Sequence, residues 1–361
     1  MKKLLATILA LLTVLSLTLT GCGSSSAATP AGSASAGGSS AAASSTAADG
    51  KVYELKWAHV SPASGDKQAD AVVAIIDKIK EDTGGRILIT MYPASTLGSE
   101  SEIFEGIQMG TIEMGTLSCG SLTGFVPELA STTIPFLFKD RHQAWQFFDS
   151  DTADYLAQTV YDKTGVKVVG WAENGLRCFS TTKKQIKSAA DVKGLKIRTQ
   201  QNPTTMAMVK SLGGSPQPID FSELYTALQQ GAVDGQENPP SLIYTQGLYE
   251  VTPYLTLDYH VYDFLGVFMN DSVLSSMPKD LQEIFLKDIK DFVTDERQRS
   301  EDYDTRDIKN MEDKGVTVYT PTDAEHQTFV DATATVVDTV KGVAGDEAVQ
   351  KVMDAVKALN G

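Results

Sequence analysis

The sequence predicts an α/β fold divided into two lobes, and three observations lead to this prediction. Strand-like and helix-like stretches alternate from residue 51 onward, which is typical of a parallel sheet covered by helices. The part able to fold spans about 310 residues, more than one hydrophobic core usually supports. Residues 279–314 read as one charged helix with an apolar stripe, and at 1.5 Å per residue it would reach about 50 Å, enough to brace two lobes.

The N-terminal residues have the pattern of a secretion signal. Lys2 and Lys3 precede an apolar run over 4–20 that is too short for a comfortable membrane span. The following Leu19-Thr20-Gly21-Cys22 resembles a bacterial lipoprotein lipobox, which implies cleavage before Cys22 and lipidation of its thiol. The alternative is an ordinary signal with a chance cysteine. We expect a signal peptide over 1–21 and an extracytoplasmic, membrane-anchored lipoprotein.

Residues 22–50 are predicted to be a lipidated, flexible tether. From 23 to 50 they are almost wholly Ser, Ala, Gly and Thr, which cannot bury enough apolar surface to offset the entropy of ordering. The net charge of the whole chain is −15, and removing the two lysines of the signal gives −15 − 2 = −17. An acidic surface argues against a nucleic-acid partner.

The folded part begins with a βαβαβ pattern. Gly84-Gly85 ends the first helix, and Gly110 ends the second. The pattern then continues through a further helix and strand, and repeats in the second half. The strand-like stretches are 52–59, 87–92, 112–117, 166–171, 195–198 and 215–219, and the helical ones are 70–80, 99–109, 140–161, 203–212 and 221–230.

Capping residues support the second-half helices. Asn202 is a good N-cap before Pro203, Asp220 caps the next helix, and Gly231 suits its left-handed C-terminal position. Gly235 and the prolines that follow predict irregular backbone after residue 233. For the long helix, the alternative is a kinked or split surface helix.

Motifs for metal binding, nucleotide binding and catalysis are absent from the sequence. No GxGxxG or P-loop follows a strand, no GxSxG occurs, and the four histidines lack metal-ligand spacing. We therefore predict no cofactor, no metal and no catalytic residue. Cys119 and Cys178 could form a disulfide, but two buried free thiols are the favoured interpretation.

Two arginines follow strands, at the edge where open α/β sheets bind ligands. Arg198 ends the strand-like 195–198, and Arg177 follows the apolar strand 166–171. A guanidinium there can hold a carboxylate with two parallel hydrogen bonds. The alternative is that each arginine pairs with an acidic neighbour at the surface.

Several segments together resemble the substrate-binding proteins of TRAP transporters (tripartite ATP-independent periplasmic transporters), of the DctP family. The matching segments, in order, are Leu97-Gly98, Gln108-Met109-Gly110-Thr111-Ile112, Pro127-Glu128-Leu129, Asn174-Gly175-Leu176-Arg177, Gly194-Leu195-Lys196-Ile197-Arg198, Phe221-Ser222-Glu223-Leu224-Tyr225 and Val233-Asp234-Gly235-Gln236-Glu237-Asn238-Pro239. The resemblance extends from residue 52 to the C-terminus, and its order and spacing make it specific.

The resemblance implies an α/β, two-lobed periplasmic-binding-protein-like fold, with a ligand cleft between the lobes and a long helix spanning both. Lobe I is expected over 51–174 and 264–303, and lobe II over 175–263 and 304–361. The implied function is that of a monomeric receptor, not an enzyme, which closes around a small organic acid and delivers it to the integral membrane permease subunits of a TRAP transporter.

The resemblance also assigns roles to residues of the second lobe. Arg198 resembles the family arginine that forms the main salt bridge with the ligand carboxylate, and Arg177 resembles a supporting arginine. Asn238 resembles a ligand-contacting asparagine, and Phe221 an aromatic that packs on the ligand. Asn202 resembles a polar contact of sugar-acid binders, and this role, which we favour, competes with its N-cap role.

Residues of the first lobe are expected to select the acid. Glu100 matches a position that is acidic in sialic-acid binders, whereas Ser118 stands where those proteins carry a glutamate. His59 at a strand exit and Glu173 are further candidates, with the alternatives of a satisfied histidine and of a carboxylate turned away. The polar groups at His59, Glu100, Asn202 and Asn238 favour a hydroxylated ligand, a hexuronate or aldonate, because each buried hydroxyl needs a hydrogen-bond partner. The alternatives are a C4-dicarboxylate or 2-oxoacid, a sensory binding module, and an enzyme using Glu100 and His59.

Overall fold

The computed structural model describes residues 50–359. The signal peptide predicted over 1–21, the lipidation site Cys22 and the tether up to residue 49 lie outside the described residues. Those assignments therefore stay predictions.

Nine strands and twelve α-helices make up the described part of the chain. The strands are β1 (Tyr53–Ala58), β2 (Ile87–Tyr92), β3 (Met114–Ser118), β4 (Val166–Thr181), β5 (Lys196–Thr199), β6 (Ser215–Pro218), β7 (Gly235–Asn238), β8 (Tyr254–Asn270) and β9 (Thr317–Tyr319). The helices are α1 (Lys67–Asp82), α2 (Glu100–Met109), α3 (Arg141–Phe148), α4 (Asp151–Thr164), α5 (Pro203–Ser211), α6 (Leu224–Gln229), α7 (Pro240–Thr245), α8 (Asp271–Ser276), α9 (Lys279–Asp313), α10 (Asp323–Thr333), α11 (Val336–Ala344) and α12 (Asp346–Ala358).

All nine strands belong to one mixed sheet. Its order is β2-β1-β3-β8-β4-β7-β5-β6, with β9 added beside β8. The pairs β1–β2, β1–β3, β5–β6 and β5–β7 are parallel, as the sequence predicts. The expectation of a parallel sheet is wrong for its centre, however, because β4 and β8 run antiparallel to each other, β8 runs antiparallel to β3, and β4 to β7. The added strand β9 is parallel to β8.

The long strands β4 and β8 join two halves of the molecule. They pair along their length, from Val166 opposite Asn270 to Thr181 opposite Tyr254. The end of β8 pairs with β3, whereas the end of β4 pairs with β7. Each long strand therefore crosses from one half to the other, which agrees with two lobes joined by crossing strands. The exact lobe boundaries stay a prediction.

Helix α9 spans both halves without a break. Its 35 residues correspond to a length of about 50 Å. It packs against α1 and β4 in the first half and against α7 and β9 in the second. Its apolar stripe, which includes Leu281, Phe285, Ile289 and Phe292, is buried. The predicted long helix is thus confirmed, and it is not split.

Four local predictions need correction. The helix predicted over 140–161 is two helices, with Asp149 at the end of α3 and Ser150 before α4. The strand predicted over 166–171 continues to residue 181, because β8 pairs with all of it. The irregular segment predicted after residue 233 contains β7. Asp220 precedes a single 3₁₀ turn and makes no capping side-chain hydrogen bond.

Separate hydrophobic clusters support the two halves near their junction. Cys119 and Leu122, which follow β3, pack in a cluster that includes residues of α2, α3 and α4. Ile197 of β5 and Met208 of α5 belong to another cluster with residues of α11. Cys119 and Cys178 are buried and free, as favoured from the sequence. The segments 118–122 and 197–209 are therefore anchored in different cores.

Candidate functional site

Two adjoining cavities lie where segments of the two halves meet. They contain about 350 Å³ and 370 Å³ of atom-free space. Five residues line both: Val60, Glu100, Arg198, Gln200 and Phe221. The first cavity is completed by Ser95, Ser99, Ser101, Ser121, Gln201, Ile219, Asp220 and Ser222, and the second by Ser61, Gln68, Thr116, Ser118, Asn174, Asn238, Leu242 and Leu265.

Arg198 is the cation of this site. It is the third residue of β5, is 2% exposed, and its Nε donates a hydrogen bond to the Ile219 carbonyl at 2.8 Å. The guanidinium carbon lies 5.8 Å from the ring centroid of Phe221. No carboxylate of residues 50–359 lies within ion-pair distance of it. Burial, and then the nearby charge of Arg177, lower the pKa of Arg198 to about 10. The site therefore holds a desolvated cation that lacks a counter-ion.

Arg177 has the opposite environment. It is fully buried in β4, where its Nη1 donates to Asp263 Oδ2 at 2.9 Å and its Nη2 to Glu237 Oε1 at 2.9 Å, while its Nε also donates to Glu237. Burial would lower the pKa of Arg177, but these two carboxylates raise it above its ordinary value. Arg177 lines neither cavity, so a direct contact with a ligand has no support in this geometry.

Arg177 and the carboxylates around it belong to a buried layer of ion pairs. Burial would raise the pKa of Glu237, but Arg177 and His260 lower it to about 2. Burial would lower the pKa of His260, but Asp258, with an oxygen 2.7 Å from Nδ1, and then Glu237 raise it to about 9. Each charge in this layer has an opposite partner, in contrast to Arg198.

Asp263 connects this layer to the cavity lining. Besides Arg177, it accepts hydrogen bonds from Asn174 Nδ2 at 2.7 Å and from Ser118 Oγ at 2.9 Å. Gln200 Nε2 lies 3.5 Å from the same carboxylate. Asp263 therefore orients three polar side chains that line the second cavity.

Glu100 and Asn238 reach the site, as predicted. Glu100 begins α2, and its carboxylate accepts from the Ser118 backbone N–H at 2.7 Å and from Ser121 Oγ at 2.5 Å. Burial raises the pKa of Glu100 above its ordinary value. Asn238 ends β7 and donates to Gln236 Oε1 at 2.5 Å. Together with Arg198, Phe221 and Ser118, these predicted residues are brought together around the two cavities.

His59 and Glu173, which were also predicted as site residues, do not line the cavities. The His59 ring is fully buried, neither ring nitrogen has a hydrogen-bond partner, and burial lowers its pKa to about 4, so the ring is neutral. The Glu173 carboxylate lies in a buried network with Trp145, Tyr262, Ser300 and Arg141. This is the turned-away orientation that the sequence left open.

Asn202 has a structural role. Its Oδ1 accepts from the Thr204 backbone N–H at 2.8 Å, which caps α5, and its Nδ2 donates to Thr133 Oγ1 at 3.2 Å. The N-cap role is therefore observed. The ligand contact, which the sequence analysis favours, has no support in this geometry because both polar groups of the side chain are engaged within the protein.

Gln200 and Asn174 are lining residues that the sequence analysis missed. Gln200 follows Arg198 by two residues, and an extended chain places such residues on one side. That spacing could have identified it. Asn174 lies beside the β4 irregularity between Glu173 and Gly175, where alternation no longer predicts which side chain faces the cavity. The sequence analysis therefore selected its neighbour Glu173 as the candidate ligand contact.

Two further observations concern metal-binding groups and membrane-spanning helices. Within residues 50–359, no group of three or more His, Cys, Asp or Glu side chains is arranged to hold a metal ion. In the same part of the chain, every helix is too short or too polar to cross a lipid bilayer.

Comparisons with known proteins agree with this architecture. A relative from Escherichia coli, the 2,3-diketo-L-gulonate-binding periplasmic protein YiaO, is 31% identical over 74% of this chain and 80% of its own length. The sugar acid binding protein of Advenella mimigardefordensis, solved with galactonate, superposes with a TM-score of 0.83 at 25% identity, covering 86% of this chain and 99% of that one. A TRAP periplasmic solute-binding protein from Sulfurospirillum deleyianum, solved with succinate, gives a TM-score of 0.78 at 28% identity over 84% and 98% of the two chains.

The family itself follows from a match over most of the chain. A sequence model of DctP, described as bacterial extracellular solute-binding protein, family 7, matches residues 57–342. The predicted two-lobed fold and the expectation of a receptor rather than an enzyme are thereby confirmed. The chain belongs to the DctP family of extracellular solute-binding proteins, the substrate receptors of TRAP transporters.

Proposed function

We propose that this receptor captures a hydroxylated organic acid with one carboxylate, a hexuronate or aldonate, through a salt bridge to Arg198. One observation carries the proposal: Arg198 is 2% exposed and lines both cavities, yet it has no carboxylate partner within residues 50–359. A buried charge without a partner costs several kcal/mol, and the carboxylate of an incoming acid offsets that cost. The planar guanidinium suits two parallel hydrogen bonds to it.

The charges of the lining favour a single carboxylate on the ligand. Arg198 is the only cationic side chain among the described residues that line the two cavities. Glu100 lines both cavities and Asp220 lines the first, so the second carboxylate of a dicarboxylic acid would face negative charge. Like charges close together in a partly desolvated site repel by an estimated few kcal/mol.

The neutral lining favours hydroxyl groups on the ligand. The first cavity is rich in serines and amides, including Ser99, Ser121 and Gln201. These groups both donate and accept hydrogen bonds, as a buried sugar hydroxyl requires. The half-buried ring of Phe221 offers an apolar face beside the cation. The galactonate-bound relative supports a sugar acid, whereas the succinate-bound one supports the alternative of a C4-dicarboxylate.

A ligand panel tests this function. Purified protein is screened for thermal stabilisation with uronates, aldonates, C4-dicarboxylates and 2-oxoacids, and each hit is measured by titration calorimetry. At 100 times its Kd a true ligand stabilises the protein by about 2.7 kcal/mol. We expect the strongest stabilisation from a uronate or aldonate. Tighter binding of a dicarboxylate contradicts the proposed class, and no binding by any acid contradicts the receptor function.

Replacing Glu100 by glutamine should lower the discrimination against dicarboxylates. The substitution removes the negative charge that lines both cavities, so the ratio of D-galacturonate to succinate affinity should fall by about tenfold, equivalent to about 1.4 kcal/mol. Titration calorimetry with both acids measures the ratio. Glu105→Gln is the matched control, because it makes the same charge change on the exposed face of α2. Equal ratios in the two variants would argue against this role.

The proposal extends to the membrane. Cys22 carries the lipid that anchors the receptor, the tether 22–50 gives it reach, and the monomeric receptor delivers its acid to the TRAP permease subunits. A single acyl chain anchors weakly, whereas several hold firmly, at about 0.8 kcal/mol per buried methylene. In cells, Cys22→Ala should abolish incorporation of labelled palmitate and release the protein from the membrane fraction. Ser24→Ala should change neither, and unchanged labelling of Cys22→Ala would exclude the anchor.

A further inference from the structure

Gln200, which lines both cavities, connects the two halves of the molecule. It is 5% exposed, and its Nε2 donates to Ser118 Oγ at 2.8 Å. Ser118 ends β3 in the first half, whereas Gln200 follows β5 in the second. The hydroxyl of Ser118 is itself bonded to Asp263, and its backbone N–H to Glu100. The side chain of Gln200 therefore donates to a hydroxyl, that of Ser118, which Asp263 already holds in place.

Gly120 provides the space for this contact. A Cβ added there would lie 2.3 Å from Gln200 Oε1, 3.1 Å from Gln200 Cδ and 3.4 Å from Asn202 Nδ2. These are its three nearest neighbours, and all belong to the other half of the molecule. The backbone of Gly120 is not in the left-handed region, so its own conformation does not require glycine. The missing side chain leaves room for the end of the Gln200 side chain, which would have to move if a Cβ were present.

The position of Gln200 relates this contact to ligand capture. Gln200 lies two residues after Arg198, and both line the two cavities. We infer that Gln200 is a positioning residue that latches the two lobes together over the acid held by Arg198, and that Gly120 is its receiving site. The inference rests on the proposed receptor function, because the latch stabilises the closed state in which the acid is bound.

Replacing Gly120 by alanine tests the latch. The added methyl group would meet the flexible end of the Gln200 side chain and displace its amide from Ser118, so the affinity for D-galacturonate should fall severalfold. Gly124→Ala is the matched control in the same segment, because a Cβ there meets no atom within 4 Å. In the double variant Gly120→Ala/Gln200→Ala the clash is removed, and the affinity should equal that of Gln200→Ala alone.

Lobe closure is measured directly by single-molecule energy transfer. Dyes are placed at Met109→Cys on α2 and Lys184→Cys after β4, both exposed, in a Cys22→Ser background. Cys119 and Cys178 are buried and stay unlabelled. Distances are recorded without ligand and with D-galacturonate. Gly120→Ala should lengthen the distance relative to Gly124→Ala, and Gln200→Ala, which removes the latch itself, should lengthen it as well.

Two failures are distinguishable. The latch is overturned if Gly120→Ala and Gly124→Ala give the same distances and affinities, or if Gln200→Ala binds D-galacturonate as tightly as the unsubstituted protein. The receptor function fails in a different way, because then no acid of the panel stabilises the unsubstituted protein.

Discussion

Replacing Arg198 by alanine should weaken binding of the receptor's acid by roughly 10²- to 10³-fold, because a desolvated carboxylate then loses its charged partner at a cost of about 3–5 kcal/mol. The ligand-free protein should be no less stable than the unsubstituted one. In the unsubstituted protein the Arg198 guanidinium is buried without a counter-ion among residues 50–359, and burial lowers its pKa to about 10. The fold therefore gains little from this charge. Calorimetric titration and ligand-free melting measure the two effects.

Two companion variants of Arg198 sharpen this prediction. Arg198→Lys keeps the charge but loses the planar pair of donors, so it should bind with intermediate affinity. Arg299→Ala makes the same truncation on the surface of α9, where Arg299 pairs with Asp295, and should leave binding unchanged. An unchanged affinity in Arg198→Ala would remove this arginine from the ligand contact.

Replacing Arg177 by methionine should instead destabilise the fold. The substitution leaves Glu237 and Asp263 buried without their shared cation, and removing one partner of a buried charge pair costs about 3–5 kcal/mol. The expected result is a large fall in the denaturant midpoint of the ligand-free protein. The loss reflects an Asp263 carboxylate without its cation and a Glu237 carboxylate left with His260 alone, rather than the absence of a ligand contact.

A second substitution distinguishes this cause from poor packing. In Arg177→Met/Glu237→Gln one buried negative charge is also removed, so part of the lost stability should return. Glu237→Gln alone leaves Arg177 with Asp263 and serves as the reference. If Arg177→Met unfolds at the same denaturant concentration as the unsubstituted protein, the pairing contributes little to the fold.

Local patterns explain why much of the fold could be predicted. The parallel strands and their helices follow from alternation and from caps such as Asn202 before α5. Strand β8 and the antiparallel course of β4 are set by pairing between residues far apart in sequence, from 254 − 181 = 73 to 270 − 166 = 104 positions, which no local pattern reveals. The short strand β7 was obscured because Gly235 and two following prolines suggest irregular backbone, yet the prolines come after its last residue.

The site could be predicted where a residue's position follows from its own strand. Arg198 lies at a strand end, and that location alone places it at the ligand edge of the sheet. Arg177 has a similar sequence context, but its partners Glu237 and Asp263 come from β7 and β8. The difference between the two arginines therefore arises from tertiary contacts. Arg177 is neutralised by carboxylates that are distant in sequence but adjacent in space, whereas Arg198 is not.

We expect Arg198, rather than Arg177, to receive the carboxylate of the captured acid. A crystal structure with the tightest-binding acid of the panel distinguishes the two arginines. Both carboxylate oxygens should lie about 2.7–2.9 Å from the guanidinium nitrogens of Arg198, with Arg177 still paired to Glu237 and Asp263. An acid bound with its carboxylate away from Arg198, or on Arg177 in place of Asp263, would contradict it.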